Sequence, residues 1–149
     1  MRLLSYLENE RERYGAIVEG GVVDLTARIG DDYPDLKALI ARNGLSAARE
    51  AARGPSADRD LSSLTLLPPI TAPEKLWCVG VNYRDRNAEY KDKSDLQKYP
   101  SLFVRNPSSV VGSGQPIEKP DVSEQYDYEG ELVIVIGELI IRRTIRGFA

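Results

Sequence analysis

The sequence predicts an α+β fold, with a small N-terminal β/α domain followed by a second, β-rich region. Three observations support this: an early hairpin pattern, two helical patterns after it, and later only short apolar runs separated by turn residues. At 149 residues the chain has room for one ordinary domain, or for a small domain and part of another. Turn signals cluster at Pro68-Pro69, and we therefore place the domains at residues 1–72 and 73–149.

The first domain is predicted to begin with three strands. Residues 1–7 form the first strand, and a charged turn covers residues 8–13. Residues 14–19 and 22–25 then form a hairpin around Gly20-Gly21, which is a strong two-residue turn signal.

Two helices are predicted next. Pro34 suits the first turn of a helix that ends at Asn43-Gly44, with an apolar stripe formed by Leu36, Leu39 and Ile40. Ser46 is expected to cap a second, alanine-rich helix that ends at Gly54-Pro55, and residues 56–63 read as a polar linker.

The second region is predicted to contain four strands. They are a buried strand at 76–81, a short strand at 102–105, an edge strand at 116–120 and a final strand at 128–136.

Composition narrows the functional classes. The longest apolar run is far too short to span a membrane, the N-terminus lacks the apolar region of a signal peptide, and Cys78 is the single cysteine. A cytoplasmic location without membrane partners is therefore expected. The net charge of −3 gives no reason to expect nucleic acid as a partner. The chain contains no histidine, which excludes histidine general bases and histidine-ligated zinc from within it.

The segment Asp127–Gly137 carries the strongest chemical signal. On a strand, Glu129 and Glu131 point to the same face with backbones about 6.6 Å apart, so that both carboxylates can reach one cation. Oxygen ligands suit Mg²⁺, Mn²⁺ or Ca²⁺. The alternative is a solvated edge strand with two surface glutamates.

Two further polar segments stand next to predicted strands. In the segment 80–90, Arg86 and Glu89 are either site residues or a surface ion pair on a short helix. In the segment 100–109, Arg105 either binds a carboxylate in bidentate fashion or is merely solvated.

Taken in this order, the three segments resemble the fumarylacetoacetate hydrolase family. The resemblance rests on Gly80-Val-Asn-Tyr83, on the Pro-x-x-Phe-x-Arg pattern beginning at Pro100, and on the acidic stretch 127–137. It covers roughly residues 75–137, and it makes residues 1–72 the small N-terminal domain that many bacterial members carry. The fold it implies is a mixed β-roll, which in this chain is incomplete.

The resemblance also implies a function and residue roles. Members bind Mg²⁺ or Mn²⁺, which chelates a 2-oxo acid or its enol, and we expect C–C bond hydrolysis of a 2-oxo dicarboxylic acid. An isomerase or decarboxylase of the same family, or a non-catalytic remnant or interaction module, is the alternative. By the resemblance, Glu129 and Glu131 bind the metal, Glu89 and Arg86 are catalytic, and Arg105 and Tyr83 contact substrate. Homodimerisation is expected if the full family architecture holds.

Two departures from the family pattern affect these roles. Arg86 stands where many members have histidine, and an arginine stays protonated and cannot act as a general base. The third metal carboxylate of the family lies beyond Gly137, in a part that this chain does not contain. We therefore expect a truncated catalytic domain, in which activity of this chain alone is uncertain.

Overall fold

The computed structural model describes residues 1–54, 56–83, 85, 99–125 and 128–137. It is a mixed α/β structure with two antiparallel sheets. The strands are β1 (Arg2–Glu8), β2 (Arg11–Val18), β3 (Gly21–Asp24), β4 (Thr65–Leu67), β5 (Leu76–Gly80) and β6 (Ser101–Arg105). The α-helices are α1 (Leu25–Ile29), α2 (Leu36–Ala41) and α3 (Leu45–Ala51), and short 3-10 turns occur at Leu61–Ser63 and Pro107–Ser109.

The first sheet has the strand order β3-β2-β1-β4. The predicted early strands and the turn at Gly20-Gly21 are confirmed, but the predicted charged turn over residues 8–13 is wrong. Glu8 pairs with Arg11, so that only Asn9 and Glu10 form the turn. Both have positive φ, 49° and 61°, as a tight two-residue hairpin turn requires.

The helices form as predicted in the middle of the domain, with different ends. The strand predicted at 22–25 stops at Asp24, whose carboxylate accepts a hydrogen bond from the Ala27 backbone N–H and caps the unpredicted helix α1. Asp35 caps α2 in the same way. The predicted cap at Ser46 is wrong, because α3 begins at Leu45 after Gly44.

The core lies on both faces of the first sheet. The larger cluster packs the helices against one face and consists of Tyr14, Ala16, Val23, Leu25, Leu36, Leu39 and Ala48. The smaller cluster, on the other face, consists of Leu4, Tyr6 and Val22. Residues 56–63, predicted as a linker, lie against this sheet instead: the Val22 backbone exchanges hydrogen bonds with Arg59, and β4 then pairs with β1.

The second sheet contains β5 and β6 alone. Both strands are predicted, but β5 is not a buried strand, because its Trp77 is 62% exposed. The strands predicted at 116–120 and 128–136 are wrong: these described stretches have no regular secondary structure. An alternating apolar pattern forms a strand only where a neighbouring strand accepts its backbone hydrogen bonds.

Gly112 joins the later part of the chain to the first sheet. A Cβ atom built at Gly112 would lie 1.8 Å from the carbonyl oxygen of Leu66 in β4. Only glycine allows so close a backbone approach.

Among the described residues, no helix has the length and apolar character needed to cross a membrane.

Candidate functional site

Tyr83 and Arg105 lie at opposite ends of the β5–β6 ladder. Gly80 pairs with Ser101, and Tyr83 follows just beyond that end. Arg105 pairs with Leu76, four residues back along β5, which is about 14 Å at the rise of an antiparallel strand. The two predicted substrate contacts are therefore not brought together by this sheet.

Arg105 is exposed, and its guanidinium carbon lies 5.9 Å from the centre of the Phe103 ring. That distance is at the outer limit of a cation–π contact, which is worth well under about 1 kcal/mol at an exposed site. The guanidinium group therefore remains available to an anionic ligand.

Val81 marks the end of β5 with a strained backbone. Its φ is +54°, a left-handed conformation that is unusual for a β-branched residue. Such outliers cost on the order of 1–3 kcal/mol and cluster at functional sites. Val81 directly precedes Asn82 and Tyr83, the two polar residues of the Gly80–Tyr83 motif. Its left-handed backbone turns the chain away from the direction of β5.

Glu129 and Glu131 are both exposed, on the stretch 128–137 that forms no strand. The same-face geometry expected from a strand is therefore absent there. Within the described parts of the chain, no group of three or more acidic or cysteine side chains is placed to hold a metal ion. The donor chemistry of the two carboxylates suits a hard divalent cation, but two carboxylates do not complete its six or more oxygen ligands.

The predicted catalytic residues Glu89 and Arg86 lie outside the described residues.

An ionic cluster at the first sheet was missed by the sequence analysis. Asp24 is only 2% exposed, and its carboxylate lies 2.6 Å from the Arg13 guanidinium and 3.6 Å from that of Arg59. Glu8 bridges the same two arginines, at 3.1 Å from Arg13 and 2.5 Å from Arg59. The four residues come from β1, β2, β3 and the segment before β4. No local sequence pattern brings these elements together.

The electrostatics of this cluster favour the charged forms. The hydrogen bond from Arg59 holds the pKa of Glu8 below its usual range. The backbone N–H of Asp24, followed by Arg28, lowers the pKa of Asp58 in the same way. These pairings indicate that the cluster fastens the segment 58–59 to the sheet.

Tyr6 lies beside this cluster and is fully buried. Burial, with the neighbouring carboxylates of Asp24 and Glu8, raises its pKa to about 12. Among the described residues, no group hydrogen-bonds to its phenolic oxygen. Tyr6 is therefore neutral at physiological pH, and it contributes apolar bulk to the smaller core cluster.

A small cavity of about 170 Å³ lies between β1, β2 and the start of α2. Three of its polar side chains are engaged within the protein: Ser5 donates to the Pro69 carbonyl, Tyr14 to the Tyr33 carbonyl, and Lys37 to Glu74. None of the predicted site residues lines this cavity.

Comparison with known proteins gives a family match in the later part of the chain. Residues 75–146 match the family model described as fumarylacetoacetate (FAA) hydrolase C-terminal. The chain belongs to the fumarylacetoacetate hydrolase family, as the three motifs indicate.

Several curated relatives are named oxaloacetate tautomerases. The one from Bacillus subtilis, YisK, is 40% identical over 80 residues, which cover 52% of this chain and 27% of that protein. The human mitochondrial FAHD2A is 34% identical over 122 residues, covering 80% of this chain and 38% of the relative. An uncharacterised protein of Staphylococcus epidermidis is 34% identical over 158 residues, covering 93% of this chain and 52% of the relative.

Among solved structures, a candidate HpcE protein from Mycobacterium smegmatis superposes with a TM-score of 0.57 at 26% identity. The match covers 80% of this chain and 41% of that one. The chain thus spans about half, or less, of the length of the relatives it matches.

Proposed function

We propose that this chain is part of a tautomerase that interconverts the enol and oxo forms of a 2-oxo dicarboxylic acid such as oxaloacetate. The observation that carries this proposal is the similarity to proteins named oxaloacetate tautomerases over 52–93% of the chain. This favours the isomerase alternative of the sequence analysis over C–C bond hydrolysis.

The absence of histidine supports the same choice. Hydrolysis requires a base that activates water, and Arg86 stands where many members of the family have a histidine. Tautomerisation consumes no water: one proton leaves the enol oxygen and another is added at carbon 3. A single carboxylate such as Glu89 is chemically sufficient to carry that proton.

The anionic substrate requires cationic contacts. Arg105 is exposed and suits one substrate carboxylate, and Arg86 is the second candidate from the sequence. Tyr83 follows the strained Val81 at the far end of the ladder from Arg105. We therefore propose that Tyr83 and Arg105 contact different parts of the site.

The proposal includes a divalent cation, Mg²⁺ or Mn²⁺, with Glu129 and Glu131 supplying two of its oxygen ligands. When bound, such a cation stabilises the enolate charge that develops on the substrate oxygen. The two carboxylates need further oxygen ligands, for which substrate oxygens and water are suitable.

The first test is a calorimetric Mg²⁺ titration of the chain, with and without oxalate as a non-reacting mimic of a 2-oxo acid. We expect binding that tightens with oxalate and is lost in the double variant Glu129→Gln/Glu131→Gln. Glu124→Gln is the matched control, because Glu124 is an exposed acid of the same region without a proposed role.

The second test follows the ultraviolet absorbance of enol-oxaloacetate as it decays to the oxo form in Mg²⁺ buffer. We expect a faster decay with the chain than with buffer alone, and loss of the acceleration in Glu89→Gln. Cleavage of an acylpyruvate without tautomerisation would instead establish the hydrolase interpretation. If a folded chain gives neither binding heat nor acceleration, it is a non-catalytic member of the family.

A further inference from the structure

Val81 differs from the other residues with a left-handed backbone. In the described residues, the non-glycine residues with positive φ are Asn9, Glu10, Asn43 and Val81. Asn9 and Glu10 form a two-residue hairpin turn, which requires positive φ, and Asn43 follows the end of α2, where asparagine commonly adopts it. Val81 follows a strand and has neither explanation, and valine is among the residues that adopt this conformation least readily.

The end of the β5–β6 ladder does not by itself require this conformation. The last pair of the ladder is Gly80 with Ser101, and one step further the residue opposite Val81 is Pro100. Proline has no backbone N–H, which explains why the pairing stops there. A β-branched residue just beyond the last pair would ordinarily keep the extended backbone that it favours.

The backbone of Val81 sets the direction of the two polar residues that follow it. An extended Val81 would carry the chain on along the line of β5 and place Asn82 opposite Tyr99. The left-handed backbone instead turns the chain out of that line. Asn82 and Tyr83 are both exposed, Tyr83 by 50%, whereas Val81 itself is half-buried.

We propose that Val81 is a positioning residue of the candidate site, whose left-handed backbone directs Asn82 and Tyr83 away from the ladder and towards the bound 2-oxo acid. The inference rests on the proposed function, which makes Tyr83 a substrate contact. The Asn82 amide and the Tyr83 hydroxyl can each donate a hydrogen bond to an anionic oxygen. Strained backbone of this kind persists where the surrounding structure holds it, and it is common at sites that clamp a ligand.

Two substitutions at position 81 separate the backbone conformation from the valine side chain. Val81→Asn removes the valine side chain but tolerates positive φ, whereas Val81→Pro fixes φ near about −65° and excludes it. The measurement is the calorimetric affinity of the 149-residue chain for oxalate in Mg²⁺ buffer. We expect Val81→Asn to bind within about threefold of the wild-type chain, and Val81→Pro to bind about tenfold or more weakly.

Two controls distinguish positioning from a general loss of structure. Mg²⁺ affinity without oxalate should be the same in all three proteins, because the carboxylates proposed to bind the metal belong to a separate segment. Nuclear Overhauser contacts between Cys78 and Phe103, which pair in the ladder, show whether the sheet remains formed. In the wild-type chain, a strong contact between the amide and α protons of Val81 reports positive φ directly and needs no ligand.

Three results would overturn the positioning role while leaving the proposed function intact. The first is undiminished oxalate binding by a Val81→Pro variant whose ladder is formed. The second is a tenfold loss in a folded Val81→Asn variant, which would make the valine side chain responsible. The third is an extended Val81 in the wild-type chain. If Val81→Pro disrupts the ladder, the asparagine variant and the Val81 proton contact decide the question. A wild-type chain that does not bind oxalate would instead refute the proposed function, and this inference with it.

Discussion

The two halves of this chain carry similar short strands and reach very different degrees of burial. In residues 1–72, four strands and three helices enclose two clusters, and Tyr6, Val22, Val23, Leu25 and Leu39 are fully buried. In residues 75–137, β6 is exposed along its whole length and Trp77 faces solvent. Both regions have sequences that favour strands. The difference in burial therefore follows from the number of strands and helices that pack against each strand among the described residues.

This comparison separates the ion-paired residues from the proposed site residues. The well-packed half contains most of the ion pairs of the described residues, and they join strands to one another. The poorly covered half contains the family motifs and all the proposed site residues. The proposed site residues thus belong to the part of the chain whose described residues are less well enclosed.

The largest expected effect is a loss of unfolding free energy, which should be large at a buried leucine of the first half and small at an exposed leucine of the second. Leu39→Ala removes a fully buried side chain from the larger cluster and should lower the free energy of unfolding by about 3 kcal/mol. Leu102→Ala, at an exposed position of β6, should change it by less than about 0.5 kcal/mol. Urea unfolding followed by far-ultraviolet circular dichroism measures both. A comparable loss in the two variants would show that β6 is covered in solution.

The substitution with the next largest expected effect tests whether the buried ion pairs contribute to the stability of the first half. Asp24 and Asp35 each cap a helix with the side chain, but only Asp24 is buried against arginines. Asp24→Asn keeps the cap and removes the charge, leaving Arg13 and Arg59 without that partner. We expect a loss of about 2–3 kcal/mol, since breaking a largely buried pair is costly and Arg13 remains partly exposed.

Asp35→Asn is the control for that substitution, because it also keeps a cap but lies at an exposed position. It should change the urea midpoint little. Equal effects in the two variants would assign the loss to capping and would exclude a special contribution from the ionic cluster.

The smallest effect is the pH dependence of the same cluster. The pKa values of Glu8 and Asp58 are lowered in the folded protein, by Arg59 and by the Asp24 backbone N–H respectively. Their contribution to stability is therefore present above their unfolded pKa values, near 4, and is lost as the pH falls through the lowered folded values. The urea midpoint should decrease from pH 5 towards pH 2.5.

Arg59→Gln tests mainly the contribution of Glu8, because it removes the hydrogen bond that is the largest cause of the lowered pKa of that carboxyl. The variant should be less stable at pH 6, and its midpoint should depend less on pH between 5 and 2.5. An unchanged pH profile would show that Glu8 and Arg59 are not paired in solution.

Local sequence predicted most of the first half. The hairpin turn at Gly20-Gly21, the stripe of α2 and the strands of the first sheet follow from patterns of a few residues. The helix α1, the strand β4 and the docking of residues 58–59 were missed. The last two depend on partners far along the chain, Tyr6 for Leu66 and Val22 for Arg59, whereas α1 has a local cap at Asp24, a residue that the sequence pattern placed in a strand.

The candidate site was predicted in part. The family motifs identified the chain correctly, and β5 and β6 form where those motifs place strands. The strand predicted for Glu129 and Glu131 is absent from the described stretch 128–137, because its alternating pattern finds no neighbouring strand. The roles of all six predicted site residues, Glu89, Arg86, Tyr83, Arg105, Glu129 and Glu131, stay predictions.

By itself, the sequence determined the family, the lack of histidine within this chain and the order of the first three strands, because these depend on residue identity and short-range spacing. Only the tertiary structure decided that Asp24 is buried between two arginines, that Arg105 and Tyr83 stand at opposite ends of one ladder, and that the backbone of Val81 is left-handed. Burial and register depend on which distant elements meet, and that information is not contained in any local pattern.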